Sequence, residues 1–234
     1  MNSPPSTDDA PRQRRAYVLI PGAGGAATWY WQRVVPLLRG AGHEAIPVDL
    51  PAGDPAGLPG YARVVIGAIG GRDDVVLVAQ SLGGFTAPLV ATEVPVGALV
   101  FVNAMIPVPG EAAGAWWRNT GSREARVAAA QAGGYPEEFD DAVYFFHDVP
   151  AEVLPDGGPP SADSDAVFET PCDFPGWPAI PIRAVAGADD RLFPAAFQQK
   201  LSRDRLGVEA DVLPGGHLMA LSRPAELARY LLSV

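Results

Sequence analysis

The sequence predicts an α/β fold: a mainly parallel sheet with helices on both faces, interrupted once by an insertion. Two observations carry this. Short, wholly apolar runs such as Val75–Ala79 (VVLVA) and Ala98–Val102 (ALVFV) alternate with stretches of helical spacing, as strands buried on both faces do. The alternation then breaks once, for roughly 70 residues after Val102, and resumes. An interruption of that length inside a compact sheet points to a functional lid rather than a loop.

The elements follow in order. Ala16–Ile20 (AYVLI) reads as a buried strand closed by Pro21-Gly22, and Trp29–Arg39 has helical spacing. Glu44–Leu50 (EAIPVDL) is a second strand whose proline argues for an edge position. Tyr61–Ile69 is helical, Val75–Ala79 is the third strand, Leu82–Thr92 is a helix and Ala98–Val102 is the fourth strand. Residues 104–178 hold helix-like pieces, Gly114–Gln131 and Glu137–Phe146, between Pro- and Gly-rich connections, with no convincing strand. Ile182–Ala186, a helix over Pro194–Leu206, Val208–Leu213 and a helix over Ala220–Leu232 complete the chain. The expected organisation is a flexible tail over 1–15, a core of 16–103 and 179–234, and a lid over 104–178. No internal repeat at solenoid periods is visible.

Composition narrows the function. The 234 residues suit one substantial domain, and 48% hydrophobic with 19% charged residues is ordinary for a globular protein. Seventeen basic against 27 acidic residues give a net charge of −10, which argues against nucleic acid and anionic membranes, since both reward clustered Lys and Arg. Cys172 is the sole cysteine, so there is neither an intrachain disulfide nor a cysteine cluster for zinc. The N-terminal segment lacks the apolar run of a signal peptide, and no stretch reaches the ~18 apolar residues of a membrane span. The chain therefore reads as soluble and cytoplasmic. Its 25 prolines, with many Ala, Gly and Arg, suggest a GC-rich bacterial gene. Nothing in it sets an oligomeric state.

The strongest local signal is Ala79-Gln80-Ser81-Leu82-Gly83-Gly84, between an apolar strand and a helix. That is the setting of a nucleophile elbow, where a strained turn lifts a serine hydroxyl above the sheet. The residues two before and two after approach each other and must be small; here they are Ala79 and Gly83. A simpler reading has Ser81 merely capping the helix. A serine nucleophile needs a base. Of three histidines, His43 precedes an early strand and His147 lies in the interrupting segment. His217, in Pro214-Gly215-Gly216-His217, follows the last strand and so shares a rim with Ser81. The base needs a carboxylate, and Gly187-Ala188-Asp189-Asp190 follows the fifth strand on that rim, either aspartate serving by position. The chain order Ser, Asp, His fits this fold. The alternative acid position, after Val102, holds Asn103, which cannot act as an anion. Backbone N–H groups of Leu82 and of the turn Pro21-Gly22-Ala23-Gly24-Gly25 would make an oxyanion hole. The same turn lacks the Lys-Ser/Thr and the spacing of nucleotide-binding loops.

These motifs together make the chain similar to α/β-hydrolases, and within them to the plant methylesterase and hydroxynitrile lyase group and its bacterial relatives. The resemblance rests on Val18-Leu19-Ile20-Pro21-Gly22-Ala23, Trp29 and Trp31, Pro36-Leu37-Leu38, Gly42-His43, Asp49-Leu50-Pro51 and Ala79 to Gly84. It continues through Gly187-Ala188-Asp189-Asp190 with Pro194, and Gly216-His217. It implies a six-stranded sheet in the order 2-1-3-4-5-6, a lid after strand four, Asp190 rather than Asp189 as the acid, and Ala23 as an oxyanion amide. Pro21 departs from the histidine that relatives usually carry. Leu218 stands where cyanide-releasing relatives carry a lysine.

The lid segment is rich in aromatics, most of them expected to be lid core. Trp29, Trp116, Trp117, Phe145 and Phe146 are the candidates for a mainly apolar substrate pocket. The expected activity is hydrolysis of a small apolar or aromatic carboxylic ester or lactone through an acyl-enzyme on Ser81. The alternatives are a lyase or C–C bond hydrolase using the same triad, and a small-molecule receptor. A small-molecule substrate is implied, and no metal or organic cofactor.

Overall fold

The structure, a computed structural model, describes residues 14–154 and 163–234. Its strands are β1 (Ala16–Ile20), β2 (Glu44–Pro47), β3 (Val75–Gln80), β4 (Ala98–Val102), β5 (Glu111–Ala112), β6 (Pro171–Cys172), β7 (Ile182–Gly187) and β8 (Ala210–Leu213). Six of them form one parallel sheet in the order β2-β1-β3-β4-β7-β8. Counting only the strands of this sheet, that is the expected order 2-1-3-4-5-6.

The apolar runs are explained by burial on both faces. β1 and β3 are buried along their whole length. Val18, Ile20, Leu77 and Ala79 pack into one core, while Tyr17, Leu19, Val76 and Val78 pack into the other. β2 pairs with β1 alone, so Pro47, which has no N–H to give, sits on an edge.

Helices differ from the sequence reading where glycine or proline intervenes. The piece expected over Gly114–Gln131 is two helices, Ala113–Thr120 and Ser122–Gly133, parted by Gly121 at φ 69°. The last helix splits into Met219–Ser222 and Pro224–Leu231, because Pro224 cannot continue a helix but can start one. Trp29–Arg39 becomes Ala27–Tyr30 and Val35–Gly40, with Pro36 in the first turn of the second. Glu137–Phe146 contracts to Asp141–Tyr144, capped by the Asp140 carboxylate on the Val143 N–H.

Two further corrections concern the insertion and the tail. β5 and β6 pair antiparallel within the insertion, strands too short to show a period in sequence. Arg14 and Arg15, read as the end of the tail, instead pair with Glu44 at 3.4 Å and Asp74 at 3.2 Å. The rest of that tail, residues 1–13, and residues 155–162 of the insertion lie outside the described residues. No helix among the described residues is long and apolar enough to cross a membrane.

Because all six strands run one way, the turns after β1, β3, β4, β7 and β8 gather on one rim.

Candidate active site

Ser81 directly follows β3 with φ 49°, in the left-handed region that strains a residue with a Cβ. The packing around it demands glycine. A Cβ on Gly83 would lie 2.4 Å from the Pro21 carbonyl oxygen, and one on Gly22 would lie 2.8 Å from Ser81 Cβ. Smallness at Gly83 thus serves close approach of the turn after β1, rather than an approach to Ala79.

The three residues singled out in sequence come together. His217 Nε2 lies 3.0 Å from Ser81 Oγ, and His217 Nδ1 lies 2.9 Å from Asp190 Oδ2. A carboxylate only accepts, so Nδ1 carries the proton and Nε2 presents its lone pair to the serine. His217 and Asp190 are 1% and 4% exposed. Asp190 Oδ1 accepts from the N–H groups of Leu192 and Phe193, both at 2.9 Å, and Oδ2 also accepts from Gln198 Nε2 at 3.1 Å. A buried carboxylate is thereby fully satisfied. Asp189, by contrast, is exposed, and its Oδ2 accepts from Gly215 N–H at 3.2 Å.

Ala23, whose N–H is the second amide expected from the sequence, lies in the turn after β1. Gly25 N–H donates to the Gly22 carbonyl and Gly24 N–H to Asp163 Oδ2 at 2.8 Å, so these two are committed. Ala23 lines the cavity over Ser81, and Leu82 is the buried residue that follows it.

That cavity has a volume of about 220 Å³. Three of the five pocket candidates, Trp29, Phe145 and Phe146, line it together with Tyr30 and Leu218. The Phe145 ring centroid is 5.3 Å from the His217 ring, and Trp29 meets Phe146 edge-on at 6.5 Å. Trp116 and Trp117 do not line it, and the pocket assignment is corrected for both. Trp116 is fully buried, its Nε1 donating to the Ile106 carbonyl at 3.0 Å, and both indoles pack on Phe193. Phe193 in turn abuts the His217 ring at 5.2 Å, so the tryptophans back the site without lining the cavity.

The sequence reading missed several groups. Asp141 and Asp163 also line the cavity. Asp163 accepts from Tyr61 Oη as well as from Gly24 N–H; burial, helped by that carboxylate, pushes the Tyr61 phenol well above its ordinary value. The insertion grips both turns: His147 Nε2 donates to the Asp189 carbonyl at 3.0 Å on the acid turn, and Asp148 Oδ2 accepts from Gly216 N–H at 2.7 Å on the histidine turn. Asn103 and Gln198 lie behind the triad, and only a position at the end of a core strand marked Asn103. Cys172 is a buried thiol pushed up to about 12, chiefly by desolvation, which keeps it protonated.

Comparison with known proteins agrees in kind. A model of the alpha/beta hydrolase family matches residues 17–230. Probable esterase PIR7A of Oryza sativa subsp. indica is 36% identical over 108 residues, 41% of either chain. Methylesterase 9 of Arabidopsis thaliana is 36% identical over 104 residues, 39% of this chain and 40% of its own. The aligned region thus spans about two fifths of the length of these curated relatives. A pyrethroid hydrolase from Sphingobium faniae has the same fold, with a TM-score of 0.74 at 23% identity over 94% of this chain and 96% of its own. The structure of polyneuridine aldehyde esterase is similar as well, with a TM-score of 0.75 at 21% identity over 94% and 99%.

Proposed function

Since the chain belongs to the alpha/beta hydrolase family over residues 17–230, we propose that it hydrolyses a small, mainly apolar or aromatic carboxylic ester through an acyl-enzyme on Ser81. The observation that carries this reading is the buried relay from Ser81 Oγ through His217 to Asp190, with links of 3.0 and 2.9 Å, opening into an aromatic-walled cavity. Esterase names among the relatives point the same way.

In this mechanism His217 Nε2 takes the Ser81 proton as Oγ attacks the ester carbonyl. The N–H groups of Ala23 and Leu82 hold the negative charge that gathers on the carbonyl oxygen. The C–O bond to the alcohol breaks, and the alcohol leaves with the proton from His217. Water then gives a proton to His217, adds to the acyl carbon and releases the carboxylic acid, returning the proton to Ser81. Asp190 fixes the imidazole tautomer and stabilises its charged form. Residues 104–178 act as a lid over the cavity, supplying Phe145 and Phe146. A bacterial, cytoplasmic setting belongs to the same proposal and rests on composition.

Leu218 argues against cyanohydrin cleavage. It lines the cavity directly after His217 and offers no charge to a departing cyanide. A panel of p-nitrophenyl esters of increasing acyl length, with mandelonitrile alongside, tests the function. Ester turnover without cyanide release is expected, and cyanide release faster than hydrolysis of any ester would overturn the reading.

A further inference from the structure

Ser81, Asp190 and His217 sit on three separate turns, and something must hold those turns in register. We infer that Asn103, seconded by Gln198, is the positioning residue that ties the acid turn to the base turn. This rests on the triad roles proposed above.

Asn103 directly follows β4, fully buried, with φ 46°; like Ser81, it holds the left-handed conformation without being glycine. Its backbone N–H donates to the Val185 carbonyl at 3.0 Å, which anchors it to the sheet. Its side-chain amide then divides its work. Nδ2 donates to the carbonyls of Gly216 and His217, both at 3.0 Å, so it grips the base turn. Oδ1 accepts from Gly187 N–H at 2.7 Å and faces Gln198 Nε2 at 3.3 Å, so it grips the acid turn. Both amide protons and the carbonyl oxygen are used.

Gln198 makes the second link. Its Nε2 donates to the Phe193 carbonyl at 2.6 Å and to Asp190 Oδ2 at 3.1 Å, the same oxygen that meets His217. Two protons cannot serve three acceptors fully, so the 3.3 Å contact to Asn103 is the weak one. A purely structural asparagine needs only one of these turns. This one bonds the main chain of the base itself and the main chain three residues before the acid. It is required as a donor: Asn103→Asp would set a carboxylate oxygen against two carbonyl oxygens.

Misplacement of a catalytic group by about 1 Å can cost about 10²-fold in rate. The test compares Asn103→Asp, Asn103→Ala and Gln198→Met with the wild-type chain on p-nitrophenyl acetate. Thermal midpoint and the downfield proton resonance of His217 Nδ1–H are read in parallel. Ser202→Ala is the control, a fully buried hydroxyl that donates to the Val208 carbonyl at 2.9 Å away from the triad. The control should lose thermal stability and keep kcat. The Asn103 variants should lose about 10²-fold in kcat with KM within about threefold, and the resonance should broaden or vanish. A folded Asn103 variant with unchanged kcat and an intact resonance overturns the inference. Should neither Asn103 variant fold, Gln198→Met decides: a loss of about tenfold or more supports it, and unchanged kcat refutes it. The resonance needs no substrate, so a chain that hydrolyses no ester sinks the proposed function while this inference is still judged.

Discussion

Asp190→Asn should cost the protein nearly all of its catalytic power, and Asp189→Asn almost none. The geometry at Asp190 leaves the amide one acceptable orientation. Its oxygen must face the N–H groups of Leu192 and Phe193, both at 2.9 Å, because an NH₂ group there would oppose two donors. The NH₂ group then faces His217 Nδ1, 2.9 Å away, and can only donate to it. The imidazole proton must move to Nε2, where it points at Ser81 Oγ and leaves no lone pair to take the serine proton. The same exchange in a serine protease lowers kcat by about 10⁴, or about 5.5 kcal/mol of barrier. The amide also meets Gln198 Nε2 donor-to-donor at the present 3.1 Å, so some loss of thermal stability should accompany the loss of rate. Asparagine at 189 keeps an acceptor for Gly215 N–H at an exposed position, so kcat should stay within about threefold. Steady-state kinetics on an aryl ester, with a melting curve for each variant, reads both effects. Equal losses at the two positions, or a larger one at 189, would refute the reasoning.

Gly83→Ala should inactivate the chain and destabilise it by about 1–3 kcal/mol, since its Cβ would meet the Pro21 carbonyl at 2.4 Å; an active variant with an unchanged melt would contradict this. Burial, with the Arg191 charge adding to it, holds the His147 imidazole below its ordinary 6.5. The unfolded chain therefore binds that proton first, so this contribution to stability is complete above about pH 6.5 and is lost as pH falls toward the folded value. Denaturant titrations should show His147→Gln flattening the acid-side decline, and an unaltered slope would refute the assignment. Among the described residues, Asp141 and Asp163 line the cavity with no lysine or arginine in its walls, beside Trp29, Phe145 and Phe146. A choline ester should therefore exceed its neutral 3,3-dimethylbutyl isostere severalfold in kcat/KM, with Asp141→Asn narrowing the gap. Equal rates for the two esters would exclude this electrostatic preference.

The sheet was readable because both its faces are covered, which turns whole strands apolar and separates them cleanly from the helices. Ser81 and His217 were readable because a parallel sheet delivers the turns after its strands to one rim. Choosing Asp190 over Asp189 needed the resemblance, since two adjacent aspartates on one turn differ only in which of them points inward. Trp116 and Trp117 were misplaced for a related reason. Helical spacing shows that an element has a face, without showing what that face meets, and here it meets Phe193 behind the histidine. Asn103 was noticed only as a residue unable to be the acid. Its importance lies in four hydrogen bonds to residues 84 to 114 positions away, a separation that no local pattern records.

The most direct test of the account is covalent labelling by a fluorophosphonate, followed by peptide mapping of the adduct by mass spectrometry. The account predicts a single adduct, on Ser81, absent from a folded Ser81→Ala variant that also turns over no ester. Labelling at another residue, or ester hydrolysis that persists in Ser81→Ala, would contradict it.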